Sequence, residues 1–303
     1  MIELIKKPNI DFMGKRRYAF AFSGILSILG MLAIVQVWRG EANLGIDFAG
    51  GTSVQVKFEQ SVKLHEVRVA LEDAGIKDFD LQDLPTENKV LIRAKRTEEA
   101  AGLGEAIIAA IQKKLPDKKP VVDSTTEIGP KVGGRLRNDA LIAILVAVGG
   151  ILLYIALRFQ FRFAIGATIA TFHDVLAVLG VFYVMGREIN LILITALLTI
   201  AGYSLTDTVV VFDRIRENLR KRLKESTAET INRSINEVLS RTIVVSMTVF
   251  ITALALFFFG GEVIHDFALA IRMGIIVGTY SSVFIASPAV LLLGGKKPFG
   301  PKR

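Results

Sequence analysis

The run INLILITALLTIAGYSLTDTVVVF, residues 189–212, sets how the rest of the chain is read. A helix needs about 20 apolar residues to cross a hydrocarbon core roughly 30 Å thick, and this run is long enough. Its one ionisable side chain of acidic type is Asp207, five residues before the run ends at Phe212. A carboxylate near the middle of a span costs about 2.5–3.5 kcal/mol to insert. Such residues therefore face a helix bundle or a water-filled cavity and find a partner there. Steps of four place Thr195, Thr199, Tyr203 and Asp207 on one face, a polar stripe expected to turn inward. Two roles suit Asp207: a proton carrier, the default for an intramembrane acid, or a simple tie between helices.

Five further runs are comparable: 18–38, 140–157, 163–185, 242–260 and 267–293. Lys15, Arg16 and Arg17 ahead of the first resemble a secretory signal, but the run is too long for one. No small-residue cleavage site precedes Trp38, so it reads as a retained anchor with Trp38 in the interface. Basic residues cluster in the amino-terminal segment, at Arg158 and Arg162, across 214–224, and in the tail after 293. The opposite loops, 186–188 and 261–266, hold only Arg187. The positive-inside rule then places both termini in the cytoplasm and the long segment between the first two runs outside. The expected division is a cytoplasmic segment 1–17, a first span 18–38, an outer domain 39–138, a five-helix region 139–293 with a cytoplasmic connector 214–241, and a tail 294–303.

Composition agrees with a membrane class. Of 303 residues 51% are hydrophobic, yet the formal net charge is +8, so charge is concentrated beside the apolar runs. Anionic lipid headgroups account for it better than nucleic acid, which is not expected as a partner. The chain has no cysteine and three histidines without ligand spacing, which excludes disulfides and thiolate sites and argues against a zinc centre. No nucleophile–base arrangement is evident either, so neither cofactor nor enzymatic activity is expected.

Segment 39–138 alternates in a different way. Strands are expected at 52–58, 78–84, 89–94 and 121–128, helices at 62–74 and 98–115, and a turn at 85–88. The order βαββαβ is that of a ferredoxin-like α+β domain. Gly50 and Gly51 follow a short acidic turn and suit positive φ at a strand entry.

Other polar residues fall inside or beside the spans. Arg241 opens the fifth span and is the nearest expected counter-charge for Asp207, or else a headgroup contact. Always protonated, it cannot itself carry the proton. Arg241, Val245, Thr248 and Thr252 share a face. Asp213 stands beside Arg214 and Arg216, where a solvated ion pair is ordinary. His173 and Asp174 lie in mid-span: histidine, with an unperturbed pKa of about 6.5, suits a relay, but both residues also suit interhelical packing. Being consecutive, they point about 100° apart and need not share a cavity. Gly274, Gly278, Ser282 and Ala286 form a small-residue face for close helix packing, which implies no chemistry. Ser226-Thr-Ala-Glu229 has the form of a capping box.

Several signatures together resemble the SecF branch of the SecD/SecF family. They are Leu44-Gly-Ile-Asp-Phe-Ala-Gly-Gly-Thr52, Ile128-Gly-Pro-Lys-Val-Gly133, His173-Asp-Val175, the stretch from Ala201 through Asp207 and Asp213 to Asn218, Asn232-Arg-Ser-Ile-Asn236, Leu239-Ser-Arg-Thr242, and Gly278-Thr-Tyr-Ser-Ser282. Thr206 and Arg272 depart from the family's usual pattern and remove no proposed proton carrier. The resemblance implies a fold of six transmembrane α-helices, half of a resistance-nodulation-division-type bundle, with a periplasmic ferredoxin-like domain between spans one and two. It implies the bacterial cytoplasmic (inner) membrane, a six-span SecD partner, the SecYEG channel, and an emerging preprotein as the cargo. Proton-driven assistance to export is the expected function, with proton coupling assigned to Asp207, Arg241, Asp213, His173 and Asp174. The alternatives are a non-titrating scaffold for SecD and the channel, and a small-molecule exporter.

Overall fold

The computed structural model describes residues 9–39, 41–84, 88–95, 102–221 and 225–294. Two compact units emerge, one of Met1–Asn43 with Ala143–Arg303 and one of Leu44–Ile142.

The larger unit is helical. Helix α1 (Arg16–Arg39) precedes a single turn, α2 (Ile46–Ala49), and two helices, α3 (Leu64–Asp73) and α4 (Leu103–Lys114), belong to the smaller unit. Then come α5 (Pro130–Arg158), α6 (Phe161–Val184), α7 (Leu191–Arg220), α8 (Thr227–Phe259), α9 (Glu262–Ser281), a π-helical segment (Ser282–Ala286) and α10 (Ser287–Gly294). Among the described residues six helices, counting Ile264–Gly294 as one, are long and apolar enough to cross a membrane. Hydropathy marks only the apolar middle of these helices. Helix α5 starts at Pro130, whose missing N–H suits the first turn, ten residues ahead of its apolar run. Helix α7 continues unbroken past Phe212 to Arg220, and Ser226 opens α8 with the expected capping box. The last span is not one uniform helix. Pro288 removes a donor and crowds the preceding turn, and the π-helical segment lies just before it. The Ser287 hydroxyl donates to the Ser282 carbonyl at 2.9 Å across that widened turn.

Helix α6 is the most deeply buried of the six. Its Phe163 meets Phe212 of α7 edge-on at 5.1 Å between ring centroids. Helix α1 crosses α6 backbone to backbone, since a Cβ placed on Gly30 would lie 2.2 Å from the Leu176 carbonyl oxygen. The segment before α1 is clamped by α8. Asn232 Oδ1 accepts from the Phe12 and Met13 amides at 2.8 and 3.2 Å, and Asn236 Oδ1 accepts from the Ile10 amide at 2.9 Å. Both asparagine amides donate to the Ile10 carbonyl. This gives the Asn232-Arg-Ser-Ile-Asn236 signature a structural task. Each bond is worth about 1 kcal/mol net, so Asn232→Ala should speed hydrogen exchange at the Phe12 and Met13 amides about tenfold or more. Unchanged protection there would refute the clamp.

The smaller unit holds β1 (Gly51–Lys57), β2 (Phe79–Leu84), β3 (Lys89–Lys95) and β4 (Val121–Ile128). They form one sheet in the order β2-β3-β1-β4, every pair antiparallel. Val54 of β1 sits opposite Ile92 and Thr125, and Leu81 opposite Ile92. Val54, Val56, Val90 and Ile92 from the sheet pack with Val67 and Leu71 of α3 and Ile107 and Ile111 of α4. This is the expected βαββαβ ferredoxin-like arrangement. The expected turn at 85–88 and the start of the expected helix at 98–115 fall partly on 85–87 and 98–101, outside the described residues. Gly50 has φ of 75°, and a Cβ on it would approach the Pro130 Cα to 2.9 Å. Gly133 packs back against Gly50 and Phe48, so the two glycine-bearing signatures close on each other.

Candidate functional site

Asp207 sits on α7, half-buried. Its Oδ2 accepts a hydrogen bond from the Ser282 hydroxyl at 2.7 Å. Thr242 of α8, buried, faces the same carboxylate, and the charge of Arg241 also acts on it. Arg241 itself is exposed and makes no ion pair with Asp207 among the described residues. Arg241 thus acts on Asp207 through its charge and not through an ion pair, and the direct contact is the Ser282 hydroxyl. Consecutive helical positions diverge by about 100°, so packing Thr242 inward turns Arg241 outward.

His173 and Asp174 on α6 are more tightly held than their spacing suggests. The His173 Nδ1 and Asp174 Oδ1 lie 3.0 Å apart in a hydrogen bond. Asp174 has no exposed surface, and its Oδ2 accepts from Ser281 at 2.8 Å and from Ser204 of α7. His173 is 5% exposed and its Nε2 has no hydrogen-bond partner among the described residues. It lines a groove with Phe20, Ser23 and Ser27 of α1 and Thr168 of α6.

Both carboxylates thus meet the run Gly278-Thr-Tyr-Ser-Ser282, and this run touches helices on every side. Gly278 lets Ser204 of α7 approach. The Thr279 hydroxyl meets Ser246 of α8 at 2.7 Å, and Ser246 accepts from Tyr203 of α7 at 3.0 Å. The Tyr280 hydroxyl donates to the Ala19 carbonyl of α1 at 2.9 Å and accepts from Ser23. Ser281 reaches Asp174 and Ser282 reaches Asp207. Four-residue spacing alone makes this a packing face without chemistry. Gly274 and Gly278 do pack closely, against Ile200 and Ser204 of the same chain, but the residues between and after them form a polar junction. Two consecutive serines inside an apolar run are the signal that sequence offers for it.

The expected inward stripe of α7 turns into the bundle only at Tyr203 and Asp207. Thr195 and Thr199 are exposed and donate to their own helix at the Leu191 and Thr195 carbonyls, 2.9 and 2.8 Å away. Arg241, Val245, Thr248 and Thr252 are exposed too. The buried polar residues of these helices' membrane portions are Ser204 and Thr208 on α7, and Thr242 and Ser246 on α8. A hydroxyl that bonds to a carbonyl one turn back needs no neighbour, so polarity alone does not mark the inner face. Asp213 is apart from this junction, further along α7, in a surface ion pair with Arg158 at 3.5 Å. Both side chains are nearly half exposed, and such pairs contribute about 0–1 kcal/mol. Among the described residues no group of three or more His, Asp or Glu could hold a metal ion.

The family described as "Protein export membrane protein SecD/SecF, C-terminal" matches residues 107–296, and the "SecD/SecF GG Motif" matches residues 42–62. The protein translocase subunit SecF of Thermodesulfovibrio yellowstonii is 62% identical over 296 residues, covering 97% of this chain and 98% of that protein. The subunit of the same name from Vibrio alginolyticus is 40% identical over 300 residues, covering 98% and 94%. The crystal structure of SecDF from Thermus thermophilus, described as a translocon-associated membrane protein, superposes with a TM-score of 0.83 at 37% identity. SecDF in its super-membrane-facing form gives a TM-score of 0.70 at 36% identity. The present chain is covered to 95% and 96% in these matches but spans only 39% and 40% of the two SecDF chains. Matched along almost its whole length by proteins of one kind, the chain belongs to the SecD/SecF family of protein-export membrane proteins, in its SecF branch.

Proposed function

We propose that this chain joins a SecD-type six-span half in the bacterial cytoplasmic membrane to form a module driven by the proton-motive force. The module assists preproteins emerging from a SecYEG-type channel. Asp207 carries this reading: an ionisable group on a spanning helix, half-buried and bonded by the Ser282 hydroxyl, with an arginine near but not bonded to it. Further support comes from the exposed polar face of α8. Arg241 is costly against lipid and shares that face with Thr248 and Thr252; a second six-span half would cover it. The basic loops favour cytoplasmic termini, which puts the unit Leu44–Ile142 on the outer face, where an exported chain emerges.

A proton arriving at Asp207 removes its negative charge. The attraction of Arg241 ends and the Ser282 hydroxyl loses its charged acceptor, so α8 and the last span lose their bias toward α7. Each charge moved is worth about 2.3 kcal/mol per 100 mV, enough to shift a two-state packing by more than tenfold. Asp213, His173 and Asp174 serve this route as secondary proton-coupling groups, with membrane lipids at the basic margins.

Proton flux and export test the reading in vesicles containing the chain, its SecD-type half and a SecYEG-type channel. Asp207→Asn preserves shape but cannot titrate, and should abolish proton-dependent export with assembly intact. Arg241→Gln should reduce flux about tenfold or more, the loss of one charge interaction of about 1.4 kcal/mol. Normal proton-dependent export by Asp207→Asn would instead establish a scaffold.

A further inference from the structure

The two intramembrane carboxylates are held by consecutive residues of one helical turn. Ser281 donates to Asp174 and Ser282 to Asp207, at 2.8 and 2.7 Å. Each hydroxyl has one proton and two acceptors within reach. For Ser281 the second is the Gly278 carbonyl at 3.2 Å, and for Ser282 it is the Thr279 carbonyl at 3.0 Å. A hydroxyl in this position turns toward whichever acceptor is more basic. An ionised carboxylate wins over a carbonyl, whereas a neutral carboxylic acid does not. The turn sits where the α-helix widens into the π-helical segment, a feature often found at functional sites.

We propose that Ser281 and Ser282 are positioning residues that link the hydrogen bonding of Asp174 to the protonation of Asp207. The inference rests on the proton-coupling reading of Asp207 and adds a second carboxylate to it. When Asp207 gains a proton, the Ser282 hydroxyl turns to the Thr279 carbonyl and tightens the turn that also carries Ser281. The Ser281–Asp174 contact must adjust, and with it the hydrogen bond between Asp174 and His173. No proton leaves either serine; only the direction of donation changes. The charged and titratable surroundings are few. Asp207 faces Arg241 from α8 and Tyr203 from its own helix. Asp174 faces His173 on its own helix, with Ser204 from α7 and Ser281 from the last span. Tyr280 lies against His173, 6.3 Å between ring centroids.

The test is an infrared pH titration of the full chain in lipid bilayers, with carbon-13 in the aspartate carboxyls. The bands of Asp207 and Asp174 are assigned by their loss in Asp207→Asn and Asp174→Asn. Ser281→Ala, which touches only Asp174 directly, should also move the Asp207 midpoint by about half a pH unit or more. Ser281→Thr keeps the hydroxyl and should restore it, which a general loosening of the helix would not do. Ser282→Ala should move the Asp174 band in turn. The proposal is overturned if each serine shifts only the carboxylate it touches, if threonine fails to restore the midpoint, or if the Asp207 band does not titrate. Flux by Asp207→Asn judges the underlying reading separately, because midpoints can prove uncoupled while flux still depends on Asp207.

Discussion

Replacing Asp174 with leucine should destabilise the chain by about 2–6 kcal/mol, estimated from the donors it leaves behind. Asp174 is fully buried and accepts from Ser204 and Ser281, and it shares a hydrogen bond with the His173 ring. Leucine removes every acceptor at once. Ser281 can fall back on the Gly278 carbonyl, but Ser204 and His173 Nδ1 have no second acceptor among the described residues. A buried donor without a partner costs about 1–3 kcal/mol, so these two together give about 2–6 kcal/mol. Asp174→Asn keeps one acceptor oxygen and should lose less than half as much. Thermal unfolding in mild detergent measures both. A leucine variant as stable as the parent would show that the junction is not what holds α6, α7 and α9 together.

The second large effect is steric. Gly30→Val should separate α1 from α6, at a cost of about 3 kcal/mol or more for overpacking that no rotamer relieves. The obstacle is backbone, not a flexible side chain. A Cβ on Gly30 falls 2.2 Å from the Leu176 carbonyl oxygen, and one on Gly180 falls 2.7 Å from the Gly30 nitrogen. Close approach of this kind is what small residues permit between membrane helices. Gly24 lies on the same helix with open space around it. Gly24→Ala should therefore be neutral or slightly stabilising, since alanine favours helix by about 1 kcal/mol. The contrast between the two variants, read as melting temperature and as protease resistance of α1, separates crowding from helix propensity. Equal behaviour would contradict the backbone crossing.

Local chemistry makes much of the architecture legible. The six apolar runs, the βαββαβ order and the capping box at Ser226 each depend on residues close in sequence, where hydropathy, alternation and hydrogen-bonding reach are decisive. Apolar runs mark only what lipid must cover, so they stop short of the polar first turns of α5 and the far end of α7. Asp207 is recognisable because a carboxylate in a span is rarely without purpose. Its hydroxyl partner is not, because Ser282 is 75 residues away and a serine carries little signal by itself.

The sequence alone determined that this chain has six membrane-crossing runs, carries one small α+β domain, and keeps acids inside its spans. Only tertiary packing decided which faces turn inward. A threonine can satisfy its hydroxyl on its own helix, so Thr195 and Thr248 could face outward at little local cost, and the rotation of α8 chose Thr242 over Arg241. The meeting of two carboxylates at Ser281 and Ser282 was likewise decided by packing, since it requires three helices to converge on one turn; the paired serines mark only a polar spot within an apolar run.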